Sequence, residues 1–444
     1  MAREHTVSAA GSQKESTARL MWDAALAGLG HQDASLRLAA RLDGHVEWPA
    51  LLRESRANRL TPFVYAGLTR GLAKTSGVPA ECLREARRET LRAGIRLSRL
   101  EQACVEVVDH ATGAGIPLLV LKGVALAATV YPPGIPRPMD DIDLLVREND
   151  RDGLAEILRT RGYRNDLRGE EDFFPPSREF SLDVHTAPMN VTRIPARRAL
   201  WPVSFAELWG RHRTFRLVGT PIQTLGPLDT AIHLAVHAVH HHGLAGSLWM
   251  ADLLQCMEKW PLPANDLAAM PASVRRSLWY CLEAMTIRGL PSPDLQDRVR
   301  PRSLYAGERR LVAAASRGTL PEAVRYAFTL CGLAGWRHKL LYLRQILFPH
   351  SDAFRTGFSD AGNKKTGWGT IWRLGLGVLR SLALHLMGGP SPTFTRHSAP
   401  RQDHRTPGLD ARTTRADTHN TGPESACLPP RGGVFRAGQS PDRS

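Results

Sequence analysis

One stretch limits what this chain can fold into more than any other. It is LLVLKGVALAATVYPPGIPRPMDDIDLLVREND, residues 118–150. It reads as a strand, a glycine turn, a helix, a loop and a second strand, DIDLLV. Twofold alternation on that second strand puts Asp141, Asp143 and Leu145 on one face and Ile142, Leu144 and Val146 on the other. The apolar set demands a core beneath it. The two carboxylates, about 6–7 Å apart at their Cα atoms, demand positive charge between them, and a divalent metal ion is the usual answer. Asp140 points to the opposite side and stays outside the pair. At the end of the first strand Lys122 and Gly123 open a helix. Gly123 lets a phosphate approach the backbone closely, and the helix start offers free N–H groups. Metal and phosphate together point to phosphoryl or nucleotidyl transfer.

The segments around this stretch have a different character. Residues 1–17 are polar and are expected to be disordered. Residues 18–115 read as helical, with apolar residues at three- and four-residue spacing in TARLMWDAALAGL, WPALLRESRANRL and ECLREARRETLRAGIRLSRLEQACVEVVDHATGAG. Residues 116–226 alternate between strands and short helices. REFSLDVHT supplies a later strand on which Ser181, Asp183 and His185 share a face, and RTFRLVGTPIQTL adds further strand material. Residues 227–390 read as helical again, from PLDTAIHLAVHAVHHHG and SLWMADLLQCMEKW onward. Residues 391–444 are low in large apolar side chains and are expected to be a disordered tail. The fold class is therefore α+β: a small mixed β-sheet core flanked by N-terminal and C-terminal helical regions.

Composition narrows the classes further. The stretch at 368–389 is interrupted by Arg373, Arg380 and His385 and reads as amphipathic, so no transmembrane segment is expected. The N-terminus lacks the apolar core of a signal peptide. Cys82, Cys104, Cys256, Cys281, Cys331 and Cys427 are scattered, which fits free thiols in a reducing compartment and argues against a disulfide framework. A cytoplasmic location is the expectation. The net charge of +15 favours anionic partners, although it comes from 51 Arg against 7 Lys and no dense basic block marks a nucleic-acid track.

Three further groups of residues could carry chemistry. Asp183 can complete a metal site begun by Asp141 and Asp143, or take a proton from an attacking hydroxyl. His185 beside it suits a hydrogen-bonding orienter or a nucleotide contact. Arg137 can meet a phosphate or pair with the aspartates that follow it. The histidines 233, 237, 240, 241 and 242 include one-turn pairs able to hold zinc. No H-E-x-x-H glutamate accompanies them, so packing or facing the cleft is the competing reading.

Taken together, V-L-K-G-x-x-L-x-x-x-x-Y, R-P-x-x-D-I-D-L-L-V, D-x-H and H-L-x-x-H resemble the uncharacterised nucleotidyltransferase family of bacteria, within the polymerase-beta-like superfamily. The residues concerned are Leu121 to Gly123, Leu126, Tyr131, Arg137, Pro138, Asp141 to Val146, Asp183, His185, His233, Leu234 and His237. Trp249 and Asp252 look like the family's later W-x-x-D element. The resemblance implies a nucleotidyltransferase core over 116–226 and transfer of a nucleoside monophosphate from an NTP to an acceptor. Mg²⁺ or Mn²⁺ would be held by Asp141, Asp143 and Asp183, and Lys122, Gly123, Arg137 and His185 would lie around the nucleotide. The acceptor could be a protein, a peptide, a small molecule or an RNA. Val124 stands where the superfamily carries a serine, which leaves Lys122 and Arg137 to substitute for its hydroxyl. The same departure opens an alternative, a catalytically degenerate nucleotide-binding or scaffold protein.

Overall fold

The structure is a computed structural model. It describes residues 2–347 apart from 71–76, 166–170, 190, 192–193, 292–294, 305–306, 319 and 321–323. The expected tail and the amphipathic stretch at 368–389 lie outside the described residues.

Five helices lead in: α1 (Ala2–Leu29), α2 (Gln32–Leu42), α3 (Trp48–Ala57), α4 (Thr61–Arg70) and the long α5 (Ala80–Gly113). Helix α1 includes residues before 18, for which disorder is the expectation from sequence. Helices α1 and α4 cross with their backbones in contact. A Cβ on Gly28 would lie 2.0 Å from the Phe63 carbonyl oxygen, and one on Gly67 would lie 1.9 Å from that of Ala24. Only glycine permits that approach.

The sheet follows: β1 (Leu118–Leu121), α6 (Lys122–Thr129), β2 (Asp141–Val146), α7 (Arg151–Thr160), β3 (Arg164–Asn165), β4 (Asp172–Phe174), β5 (Ser181–His185), α8 (Phe205–Gly210), β6 (Arg213–Leu217) and β7 (Thr220–Thr224). Its strand order is β3-β4-β5-β2-β1-β7-β6. Strands β2 and β5 run parallel, as do β1 and β7, while β1 pairs antiparallel with β2, so the sheet is mixed as the sequence predicts. The short strands β3, at the sheet edge, and β4 beside it were not anticipated. They hold two and three residues, too few to show an alternation, and β4 runs straight into Pro175.

The alternation of β2 sorts the molecule into layers. Ile142, Leu144 and Val146 pack with Leu182 and Val184 of β5 against α5 and α7. Leu145 faces the other way, with Leu119 and Leu121 of β1, into a larger core shared by α1, α4 and the later helices. Those helices are α9 (Pro227–His240), α10 (Leu248–Lys259), α11 (Ala264–Ala269), α12 (Ala272–Ile287), α13 (Gln296–Val299), α14 (Glu308–Ser316) and α15 (Val324–Gly332), while α16 (Trp336–Leu347) packs through Tyr342 in a small separate cluster with Ile194 and Leu200. Helix α12 carries Trp279, Tyr280 and Cys281, all buried, and forms the middle of this body. Its apolar residues run nearly all round the helix, so a one-face periodicity search passes over it.

Candidate active site

The polar face of β2 lies on the same side of the sheet as Leu145. Register fixes what meets there. Asp143 stands directly opposite Asp183 of the parallel neighbour β5, and Asp141 stands opposite Ser181. On the other flank Leu121 of β1 pairs with Asp143, so the chain leaving β1 delivers Lys122 beside that carboxylate. Lys122 Nζ lies 2.8 Å from Asp143 Oδ1, and His185 Nε2 lies 3.2 Å from the same oxygen. Lys122 adopts a left-handed backbone (φ 40°), a conformation that side chains other than glycine rarely take and that marks strained functional positions. Gly123 follows in the tight corner. A Cβ there would press on Met139 Sδ at 3.2 Å, with Arg137 Nη1 and the Asp141 carbonyl just beyond.

The electrostatics follow from burial and neighbours. Burial pushes Asp143 up, but Lys122 and then His185 outweigh it and hold the carboxyl well below the ordinary range. Burial and then Asp143 push Asp141 up. Burial, then Asp143 and Asp141, push Asp183 up to about 7. Asp172 adds to this from β4, where it stands opposite Asp183. Burial depresses His185, but its hydrogen bond and charge interaction with Asp143 more than offset that, and its pKa is raised. Two carboxylates that resist ionisation beside a third that is fully ionised make a site short of positive charge. Ligand atoms of Asp143, Asp183 and His185 all lie within 4.8 Å of one another, and the carboxylate oxygens among them suit a hard divalent cation such as Mg²⁺ or Mn²⁺.

Four of the seven residues singled out from sequence, Asp143, Asp183, Lys122 and His185, thus meet around one point; Asp141 stands one pleat away on the same face, close enough for its charge to act on Asp143, and Gly123 shapes the corner beside them. Arg137 is used differently. It is buried, and its guanidinium donates from Nε to Asp252 Oδ1 at 2.7 Å and from Nη2 to Asp252 Oδ2 at 2.6 Å. Tyr131 donates its hydroxyl to the same carboxylate at 2.6 Å. The fork is filled by the Asp252 carboxylate, so Arg137 pins the loop before β2 to helix α10 and pairs with neither Asp141 nor Asp143. Its charge still reaches Asp141, which it stabilises in the ionised form. Asp140, set aside from sequence, is exposed and pairs with Arg96 and Arg59.

The sequence reading missed the Tyr131–Arg137–Asp252 network. Its three members were all visible as motif residues, but their meeting depends on the packing of α10 against the loop. It also missed Asp172, which lies on a three-residue strand too short to recognise. The histidine helix does approach the site. His233 is buried and held down to about 3 by burial and then by Lys122, and His237 is depressed for the same reasons in the same order. Their rings stack at 6.0 Å. His240 lies apart, bonded to Ser277 and Thr329.

Two aspartates on one strand, a third in register on the next and a lysine at the neighbouring strand end put three carboxylates and an ammonium on one face of the sheet. The family model described as an uncharacterised nucleotidyltransferase matches residues 44–283, more than half of the chain. The chain belongs to that family. The comparison with curated proteins gives no match. Among the described residues no helix is long and apolar enough to cross a membrane.

Proposed function

We propose that the chain transfers a nucleoside monophosphate from an NTP to a hydroxyl-bearing acceptor, releasing pyrophosphate, with Mg²⁺ or Mn²⁺ held by Asp141, Asp143 and Asp183. The observation that carries this reading is the register of Asp143 against Asp183, with Asp141 one pleat away on the same buried face. When bound, the metal neutralises phosphate charge and draws electrons from the α-phosphorus. The chain does the rest by positioning. Lys122 turns its ammonium from Asp143 toward the triphosphate, and the N–H groups opening α6 receive phosphate oxygens. His185 holds Asp143 in orientation. The acceptor oxygen forms a bond to the α-phosphorus as the bond to the pyrophosphate oxygen breaks, and its proton passes to an Asp183 carboxylate oxygen.

The test is Asp141→Asn and Asp143→Asn in the full chain, with product detection by mass spectrometry across NTPs and acceptor classes. Each variant should lose metal-dependent NTP turnover by roughly a hundredfold or more while its circular dichroism stays that of the parent. Parental turnover in both would refute the assignment. Val124, which offers no hydroxyl to a phosphate, favours a second reading as a degenerate nucleotide-binding scaffold. Calorimetry showing Mg²⁺-dependent NTP binding with no product would select it.

A further inference from the structure

Beyond the carboxylate site, a second cluster of metal-ligating side chains stands at the C-terminal end of α9. His237, His241 and His242 bring ring nitrogens within 4.8 Å of one another, and no carboxylate belongs to the group. The rings lie against each other: His237 and His241 stack at 4.6 Å, and His242 meets both edge-on at 4.7 and 4.9 Å. His237 and His241 are one helical turn apart, the spacing by which a helix presents two imidazoles to one zinc ion. His242 comes from the turn just after the helix and supplies the third nitrogen. His237 is half-buried, while His241 and His242 face solvent.

We propose that these three histidines form a transition-metal site, for Zn²⁺ or a similar borderline divalent ion, distinct from the carboxylate site on the sheet. Zn–N bonds of about 2.0–2.1 Å set the edge of a tetrahedral ligand triangle at about 3.3 Å. Rotations that move each ring by under about 1 Å close the cluster to that size. Three nitrogens leave the fourth position open to water or to a ligand entering from solvent, as in catalytic rather than structural zinc sites. The two sites should sort their metals by ligand hardness: oxygen donors take Mg²⁺ or Mn²⁺, imidazoles take zinc. The histidine site stands whether or not the chain is an active transferase.

The experiment uses the untagged full chain, stripped with a chelator and titrated with Zn²⁺ or Co²⁺ in excess Mg²⁺. One equivalent of zinc should bind and raise the melting temperature. Cobalt should give the visible absorption of a tetrahedral, nitrogen-rich centre. His241→Ala and His242→Ala replace exposed side chains, and each should weaken zinc binding at least about tenfold and erase the zinc-dependent rise in melting. Asp143→Asn and Asp183→Asn should leave zinc affinity unchanged. Absence of stoichiometric zinc or cobalt overturns the proposal. So does zinc binding that survives both histidine variants, or that disappears in Asp183→Asn, which would assign the ion to the sheet.

Discussion

Replacing Asp252 with alanine tests how firmly the loop carrying the site is tied to the helical body. The carboxylate is 3% exposed, and its partners Arg137 and Tyr131 are 7% and 6% exposed. It accepts two guanidinium bonds and one phenolic bond, all of 2.6–2.7 Å. The substitution leaves a buried cation with no counter-charge and a buried hydroxyl with no acceptor. Breaking a buried pair from one side costs about 3–5 kcal/mol, and stranding a hydroxyl costs about 1–3 kcal/mol. The two losses share one carboxylate and overlap, so about 4 kcal/mol is expected for Asp252→Ala, a large part of the roughly 5–15 kcal/mol that holds a domain folded. The double variant Arg137→Met with Asp252→Leu should recover most of it, because well-packed apolar replacements of buried ion pairs are often neutral or stabilising. Urea unfolding followed by tryptophan fluorescence measures both, with the m-value checking that the denatured state is unchanged. A loss below about 1 kcal/mol for Asp252→Ala, or a double variant worse than either single one, would refute the reasoning.

Two further outcomes follow from the backbone and from titration. At Lys122, the left-handed backbone costs a side-chain-bearing residue about 1–2 kcal/mol, so Lys122→Gly should be more stable than Lys122→Ala by roughly 1 kcal/mol, the reverse of the order in an ordinary helix; thermal melting of the pair decides it, and alanine being the more stable would remove the strain argument. Burial, and then Arg37, lower the pKa of His31 below its ordinary 6.5. Below pH 6.5 the unfolded chain therefore binds a proton that the folded chain resists, so this contribution is complete above that pH and is lost as pH falls. His31→Gln should flatten part of the acid limb of stability against pH, and identical limbs in both proteins would count against it.

Much of the site was legible because it rests on local order. Alternation along DIDLLV places Asp141 and Asp143 together without knowledge of any partner strand, and the turn at Lys122–Gly123 announces itself through glycine. Asp183 was readable as a candidate from its own strand. Its alignment with Asp143 rather than with Asp141 was not, because register between β2 and β5 is set by the core beneath them. Arg137 shows the opposite case. Its sequence neighbours are the aspartates, but its partner lies 115 residues away on α10, and no local pattern in the loop reveals that pairing. The same limit applied to α12, whose burial on nearly every side hides the periodicity that betrays a surface helix.

The contact between Gly28 and Gly67 has a bearing on how this chain can vary. Most helix crossings are separated by side chains, and a change on one helix can be met by a trim on the other. Here the obstacle facing any added carbon is a main-chain carbonyl, Phe63 on one side and Ala24 on the other. Every residue type carries that oxygen, so no second substitution can make room. The two glycines are thus fixed points for variation in the lead-in to the sheet. A chain that loses either must re-space α1 and α4, and with them the part of the core that backs Leu119, Leu121 and Leu145.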